Sequence, residues 1–206
     1  MPPNLNFTLS NTLELFSMLA PFLLAFFLVM ASIFNQDIKG LIYLAGIFFA
    51  LAINLPLMYL MGQDEELNLK AGAACSITGF PMIVGFSSPS PSSLIIAFTA
   101  AYLLLPMIAN GQMNYAVLAT LLCLLGLDGV TKIAKYCTTI TGIVLGILVG
   151  LIFGATWYTI IHSTGYDSLL YFNEIASNNV QCSKPSKQTF KCSVYKNGQL
   201  VSSNIA

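Results

Sequence analysis

The sequence contains no arginine and one histidine, His162, and only 8% of its 206 residues are charged. A mechanism that needs two histidines, or an arginine that binds an anion through paired hydrogen bonds, is therefore excluded. The eight lysines equal the eight acidic residues in number, so no net charge would attract nucleic acid. No residue pattern indicates a cofactor.

The five cysteines are far apart, and no two of them form a C-x-x-C pair. With one histidine available, they give no credible metal site. Cys123 falls in an apolar run and is expected to be a small buried side chain. Cys182 and Cys192 could form a disulfide, but two reduced thiols fit the sequence equally well while the compartment is unknown.

Apolar residues, in contrast, are abundant: 56% of the chain is hydrophobic and the mean hydropathy is +0.78. Soluble domains have about 25% charged residues, so the composition predicts an all-α polytopic membrane protein. Spans are predicted at about 15–34, 41–61, 94–109, 115–127 and 140–161. The fourth is short, so it is expected to be tilted or partly covered by protein.

The segment before the first span, 1–14, is polar and lacks the basic start of a secretory signal. The first span is therefore predicted to be a retained anchor. Five spans form a transmembrane domain over 15–163 and place the loops 62–93 and 128–139 on the side of the N-terminus. The polar tail, 164–206, leaves on the other side.

Polar and small residues inside the spans predict how the helices pack. Asn54 lies within the second span and needs a hydrogen-bonding partner on another helix. Ser92 or Ser93 is expected to cap the third span, and Asp128 to be either solvated or paired with Lys132. The fifth span has a glycine at every fourth position, which predicts a closely packed stripe: Gly142, Gly146, Gly150 and Gly154.

In the tail, alternating runs flank Asn197-Gly198, which is a strong hairpin signal. We predict a small β-hairpin over about 188–201, stabilised by a partner or by the membrane domain. Trp157 and Tyr158, near the end of the fifth span, are typical of interfacial anchors.

Pro89-Ser90-Pro91-Ser92 comes directly before an apolar helix, and Thr131-Lys132 is followed at fixed spacing by Thr138 and Gly142. These segments resemble the second and third motifs, P-S-G-H and S-R-x5-H-x3-D, of the type 2 phosphatidic acid phosphatases (lipid phosphatase and haloperoxidase-like). Lys70 is the only candidate for the lysine of that family's first motif, K-x6-R-P. The glycine stripe is similar to the helix that follows the third motif.

Two further segments resemble members of this family that large double-stranded DNA viruses carry: Gly72-Ala73-Ala74-Cys75 in the long loop, and 182–198 in the tail. The resemblance covers roughly residues 65–200, and the tail is its more specific part. It implies a degenerate lipid-phosphatase-like bundle in the internal membrane of a virion. The partners it implies are the bilayer and, through the tail, minor capsid proteins.

The resemblance also implies a catalytic centre, but the chemistry of that centre is missing. The family's leaving-group acid, nucleophile and orienting carboxylate correspond here to Ser92, Thr138 and Gly142. A threonine hydroxyl without a base is a poor nucleophile. Lys132 replaces an arginine and loses its paired contact with phosphate, and His162 lies at the opposite end of the fifth span. The sequence therefore predicts a pseudoenzyme.

Two alternatives stay open. The first is a working lipid phosphatase that uses unconventional residues, with Thr138 as the nucleophile. The second is a lipid-binding module in which Lys70, Lys132 and Lys135, with the N–H groups at the start of the third span, bind a lipid phosphate. Three lysines solvated at the membrane surface are the simpler interpretation of that set.

Overall fold

The computed structural model describes residues 9–61, 75, 88–111 and 113–171, together with the backbone of 191–196 and 199–205. Within these residues, five helices are long and apolar enough to cross a membrane. They are α1 (Leu9–Phe34), α2 (Lys39–Met61), α3 (Pro91–Ala109), α4 (Tyr115–Ala134) and α5 (Ile140–Ser163). A 3₁₀ turn, Asp167–Leu169, follows α5. The all-α membrane class predicted from composition is confirmed.

Helix α3 is the centre of the bundle. Inside the protein, 72% of its most apolar stretch is buried, against 22–33% for the other four helices. Beyond Ser92 and Ser93 at its start, its side chains are mostly apolar all round, as is typical of a helix surrounded by other helices. The outer helices expose large apolar side chains, such as Phe27, Leu60 and Ile152, which a bilayer would cover.

The glycine stripe of α5 packs directly against the backbone of α3. A Cβ atom added at Gly146 would lie 2.6 Å from the carbonyl oxygen of Ser90, and one added at Gly154 would lie 2.5 Å from that of Phe98. A Cβ atom at Gly150 would overlap the carbonyl oxygen of Leu94. The closely packed stripe predicted from the glycine spacing is therefore confirmed.

The helix ends form two groups at opposite ends of the bundle. The loop end contains the end of α2, the start of α3, the end of α4 and the start of α5. Contacts hold it together: Asn54 Nδ2 donates to Pro89 O at 3.4 Å, and Ser17 Oγ on α1 donates to Leu127 O at 3.2 Å. Asn54 is buried, and its partner belongs to the turn before α3 rather than to a helix.

The tail end contains the α1–α2 turn and the residues that follow α5. Trp157 Nε1 donates to Ile42 O at 3.1 Å, so this side chain joins α5 to α2. The Tyr171 hydroxyl donates to Leu28 O at 2.6 Å. Burial, with a smaller contribution from the Asp37 carboxylate, raises the pKa of Tyr171 to about 12, so this donor stays protonated at neutral pH.

Three local predictions were wrong. Helix α4 continues past Leu127 to Ala134, because Asp128 and Lys132 neutralise each other inside the protein and do not mark a polar connection. Helix α3 begins at Pro91, and neither serine that follows is its cap. Cys123 is exposed on the outer surface of α4 and is not buried.

Residues 175–206 form a separate compact unit. Its strands β1 (Lys191–Lys196) and β2 (Gln199–Ile205) pair antiparallel. The side chains of this unit lie outside the described part of the chain. What the hairpin predicted at about 188–201 packs against therefore stays a prediction.

Candidate functional site

The turn that leads into α3 is held against the start of α5. Pro91 is the first residue of α3, where a missing N–H costs nothing. Ser90 precedes it in extended conformation, and its side chain makes no capping hydrogen bond. Instead, the Ser90 N–H donates to Gly142 O at 2.9 Å. The turn before α3 thus contacts the start of α5. These are the two segments that resemble the second and third motifs.

Five polar side chains converge behind this turn and are called the polar cluster: Ser90, Ser92, Ser93, Asp128 and Lys132. Ser92 Oγ donates to Asp128 Oδ2 at 2.7 Å, and Ser93 Oγ donates to the same oxygen at 3.2 Å. Ser90 Oγ lies 3.3 Å from both of those hydroxyl oxygens. Lys132 Nζ donates to Ser92 Oγ and lies 3.5 Å from Asp128 Oδ1.

The two charges of the polar cluster are shielded from solvent. Asp128 is 0% exposed and Lys132 is 7% exposed. They are four residues apart on α4, so both point toward the start of α3. Of the two predictions for Asp128, pairing with Lys132 is confirmed and solvation is wrong. A buried charge is tolerated only when it is paired and hydrogen-bonded. Asp128 Oδ2 accepts hydrogen bonds from Ser92 and Ser93, whereas Asp128 Oδ1 has the ion-pair contact with Lys132 and no hydrogen bond among the residues that the structure describes.

The structure brings together most of the residues singled out in the sequence. Ser92 contacts Lys132, and the carbonyl oxygen of Gly142 accepts a hydrogen bond from Ser90 in the turn before α3. Thr138 is buried just beyond the end of α4. Lys135 is the exposed C-cap residue of α4. Lys70 lies outside the described residues.

His162 is not part of this region. It lies near the end of α5 at the tail end, where its Nδ1 is 2.7 Å from Asp167 Oδ1. Its ring stacks on Tyr158 at a centroid distance of 5.6 Å. The single histidine of the chain is therefore unable to serve as an acid or base for the polar cluster.

The hydrogen bonds of the polar cluster determine what it can do chemically. A serine nucleophile needs a base that takes up its proton when it attacks. The Ser92 hydroxyl donates to the Asp128 carboxylate, which is a possible base, and accepts from Lys132; all three side chains are buried. In the part of the chain that the structure describes, no group of three His, Cys, Asp or Glu side chains could hold a metal ion.

A disulfide that the sequence interpretation missed joins Cys75 of the long loop to Cys137, between α4 and α5. Their Cα atoms are 5.4 Å apart, although 62 residues separate them in sequence. The Cys137 N–H donates to Lys132 O at 2.9 Å, so the disulfide lies next to the polar cluster. One signal was present: both cysteines fall in loops predicted to share one side of the membrane. The pairing of Cys182 with Cys192 lies outside the described side chains.

The disulfide predicts a specific pattern of thiol reactivity. In the purified chain, a detergent-permeable maleimide should modify Cys123 without reduction, because this thiol is free and exposed. Cys75 and Cys137 should be modified only after a reducing agent is added. Mass spectrometry of peptides alkylated before and after reduction measures both classes. Modification of Cys137 before reduction would contradict the disulfide.

Comparison with known proteins gives no relative: no protein-family model, no curated protein and no solved structure matches this chain.

Proposed function

We propose that this chain is a non-enzymatic integral membrane protein in which the polar cluster stabilises the bundle. The observation that carries the proposal is the buried ion pair of Asp128 and Lys132, with Ser92 hydrogen-bonded to both of them at the start of α3. The position equivalent to a catalytic acid is a serine that already has two charged partners. The position equivalent to an orienting carboxylate is Gly142, which has no side chain.

A role in a viral internal membrane is the finer part of the proposal. It is supported by the sequence resemblance in the loop and tail, not by the geometry of the bundle. In this role the membrane domain anchors the protein, and the tail contacts minor capsid proteins. The tail has the composition of a soluble contact segment, since residues 175–206 contain four lysines and no acidic residue.

The tail assignment predicts the outcome of a deletion. A chain ending at Glu174 should still insert into membranes, because all five helices precede this point. When it is purified from crosslinked, detergent-solubilised particles, the truncated chain should recover much less capsid protein than the full chain does. The control is the full chain with Gln199→Ala, a single change in the same unit. Equal recovery of the capsid partner by the truncated chain would refute the tethering role.

The absence of catalysis is tested on purified protein in mixed micelles that contain phosphatidic acid. We expect no phosphate release above the micelle background, and no difference between the parental chain and Thr138→Ala. An active lipid phosphatase in the same micelles is the positive control. Turnover that Thr138→Ala abolishes would instead establish an enzyme with an unconventional nucleophile.

The lipid-binding alternative stays a prediction for Lys70, Lys132 and Lys135. The charge of Lys132 is already balanced by Asp128, so an anion at this site would have to compete with a buried carboxylate. This competition makes the structural role of the polar cluster the better supported proposal.

A further inference from the structure

The disulfide lies at one defined end of the bundle. Cys137 follows the end of α4 and precedes the start of α5, so the bond to Cys75 belongs to the loop end. Disulfides persist in oxidising compartments and are reduced by the thiol systems of the cytosol. A protein that spans the membrane exposes its two ends to different compartments. The position of the disulfide therefore carries information on orientation.

The lysines are distributed unevenly between the two ends. Lys70 and Lys135 belong to loop-end connections, and Lys132 is buried against Asp128. The other five lysines lie in the α1–α2 region or in the chain that follows α5: Lys39, Lys184, Lys187, Lys191 and Lys196. Orientation is set by the lysines that lie within about 15–20 residues of a span end. The tail lysines begin at Lys184, 21 residues after Ser163, so the count compares Lys70 and Lys135 at the loop end with Lys39 at the tail end. A difference of one lysine does not determine the orientation, and the disulfide is the observation that does.

The segment after α5 stays on the side where it leaves the bundle. Its four lysines are spaced so that no uncharged run between Ile175 and Ala206 approaches the roughly 20 apolar residues that a span needs. The tail therefore lies on the side of the membrane opposite the disulfide.

We infer that the loop end, with the Cys75–Cys137 disulfide and the polar cluster, faces an oxidising, extracytosolic compartment, and that the tail faces the cytosol. The inference goes beyond the proposed function, because it holds whether or not the chain is an enzyme and whether or not the tail has a partner. It also limits the tail's partners to proteins that are present on the cytosolic side.

The orientation can be measured by glycosylation mapping of the full chain in microsomes. One version has an acceptor tag fused before Met1, and the other has the same tag after Ala206. Both contain Asn6→Gln, so that the native Asn6-Phe7-Thr8 sequence adds no signal. We expect only the N-terminal tag to be glycosylated, because α1 begins at the loop end. The control is each tag with its acceptor asparagine changed to glutamine.

A second measurement follows the disulfide itself in sealed cells. The first variant keeps Cys137 as its one cysteine and carries four substitutions: Cys75→Ser, Cys123→Ala, Cys182→Ser and Cys192→Ser. Its Cys137 thiol should react with a membrane-impermeant maleimide added outside the cells. With Cys75 retained, the same background should react only after reduction. The inference would be overturned if the C-terminal tag were glycosylated, or if both tags were glycosylated equally. It would also be overturned if Cys137 were labelled without reduction while Cys75 is present. The tagged chains keep the native disulfide, so they give an answer even if the cysteine variants misfold.

Discussion

Asp128→Asn is expected to destabilise the folded membrane domain by about 3–5 kcal/mol, because it leaves the ammonium group of Lys132 buried without a counter-charge. Lys132→Met should also destabilise, but toward the lower end of that range. In that variant Ser92 and Ser93 still donate to the Asp128 carboxylate and compensate part of its charge. Unfolding in mixed micelles with increasing SDS measures both effects.

The double variant Asp128→Asn/Lys132→Met is the control for this prediction. It removes both charges, and replacing a buried ion pair by neutral side chains of similar volume is often close to neutral. We expect the double variant to be at least as stable as either single variant, so the two effects are strongly non-additive. Additive losses, or single losses below about 1 kcal/mol, would show that the two side chains do not form a buried pair.

Gly150→Ala is expected to have the second large effect. The added methyl group would overlap the carbonyl oxygen of Leu94, a backbone atom that moves only if α3 and α5 separate. Forcing an extra carbon into a packed contact costs about 1–3 kcal/mol, and we expect the upper part of this range because the obstacle is backbone. The same SDS titration reports the loss.

Gly126→Ala is the matched control for the glycine stripe. Gly126 lies within α4, and a Cβ atom there would have no neighbour within 4 Å. Alanine is favoured over glycine inside a helix by about 1 kcal/mol, so this variant should be neutral or slightly more stable. If Gly150→Ala matches Gly126→Ala, the stripe does not hold α3 against α5.

The features that could be predicted from sequence are those with a strong local signal. Long uncharged runs identify spans because a bilayer requires about 20 apolar residues in succession. A glycine at every fourth position identifies a helix face, since i and i+4 are neighbours on a helix. Both signals depend only on residues within one element, and both predictions are confirmed.

The errors arose where a contact between elements decides the local structure. Asp128 and Lys132 look like the start of a polar loop, but their mutual pairing and the hydroxyl groups of Ser92 and Ser93 allow α4 to continue. Ser92 looks like a helix cap, but Asp128 is its acceptor and Pro91 starts the helix. In both cases the partner is distant in sequence, so no local pattern reveals it.

The polar cluster itself was only partly predictable. The resemblance singled out Ser92, Lys132, Thr138 and Gly142, and the structure places the first two in contact. The role of Asp128 as the acceptor for two serines was missed. Its carboxylate lies outside every motif considered, and its significance depends on the packing of α4 against α3.

The central claim is that the polar cluster serves folding and not catalysis. Its most direct test is to measure phosphate release from phosphatidic acid by the purified parental chain and, in parallel, by the folded Asp128→Asn/Lys132→Met double variant. We predict no release above the micelle background from either protein. Release by the parental chain that the double variant loses while remaining folded would contradict the proposed function.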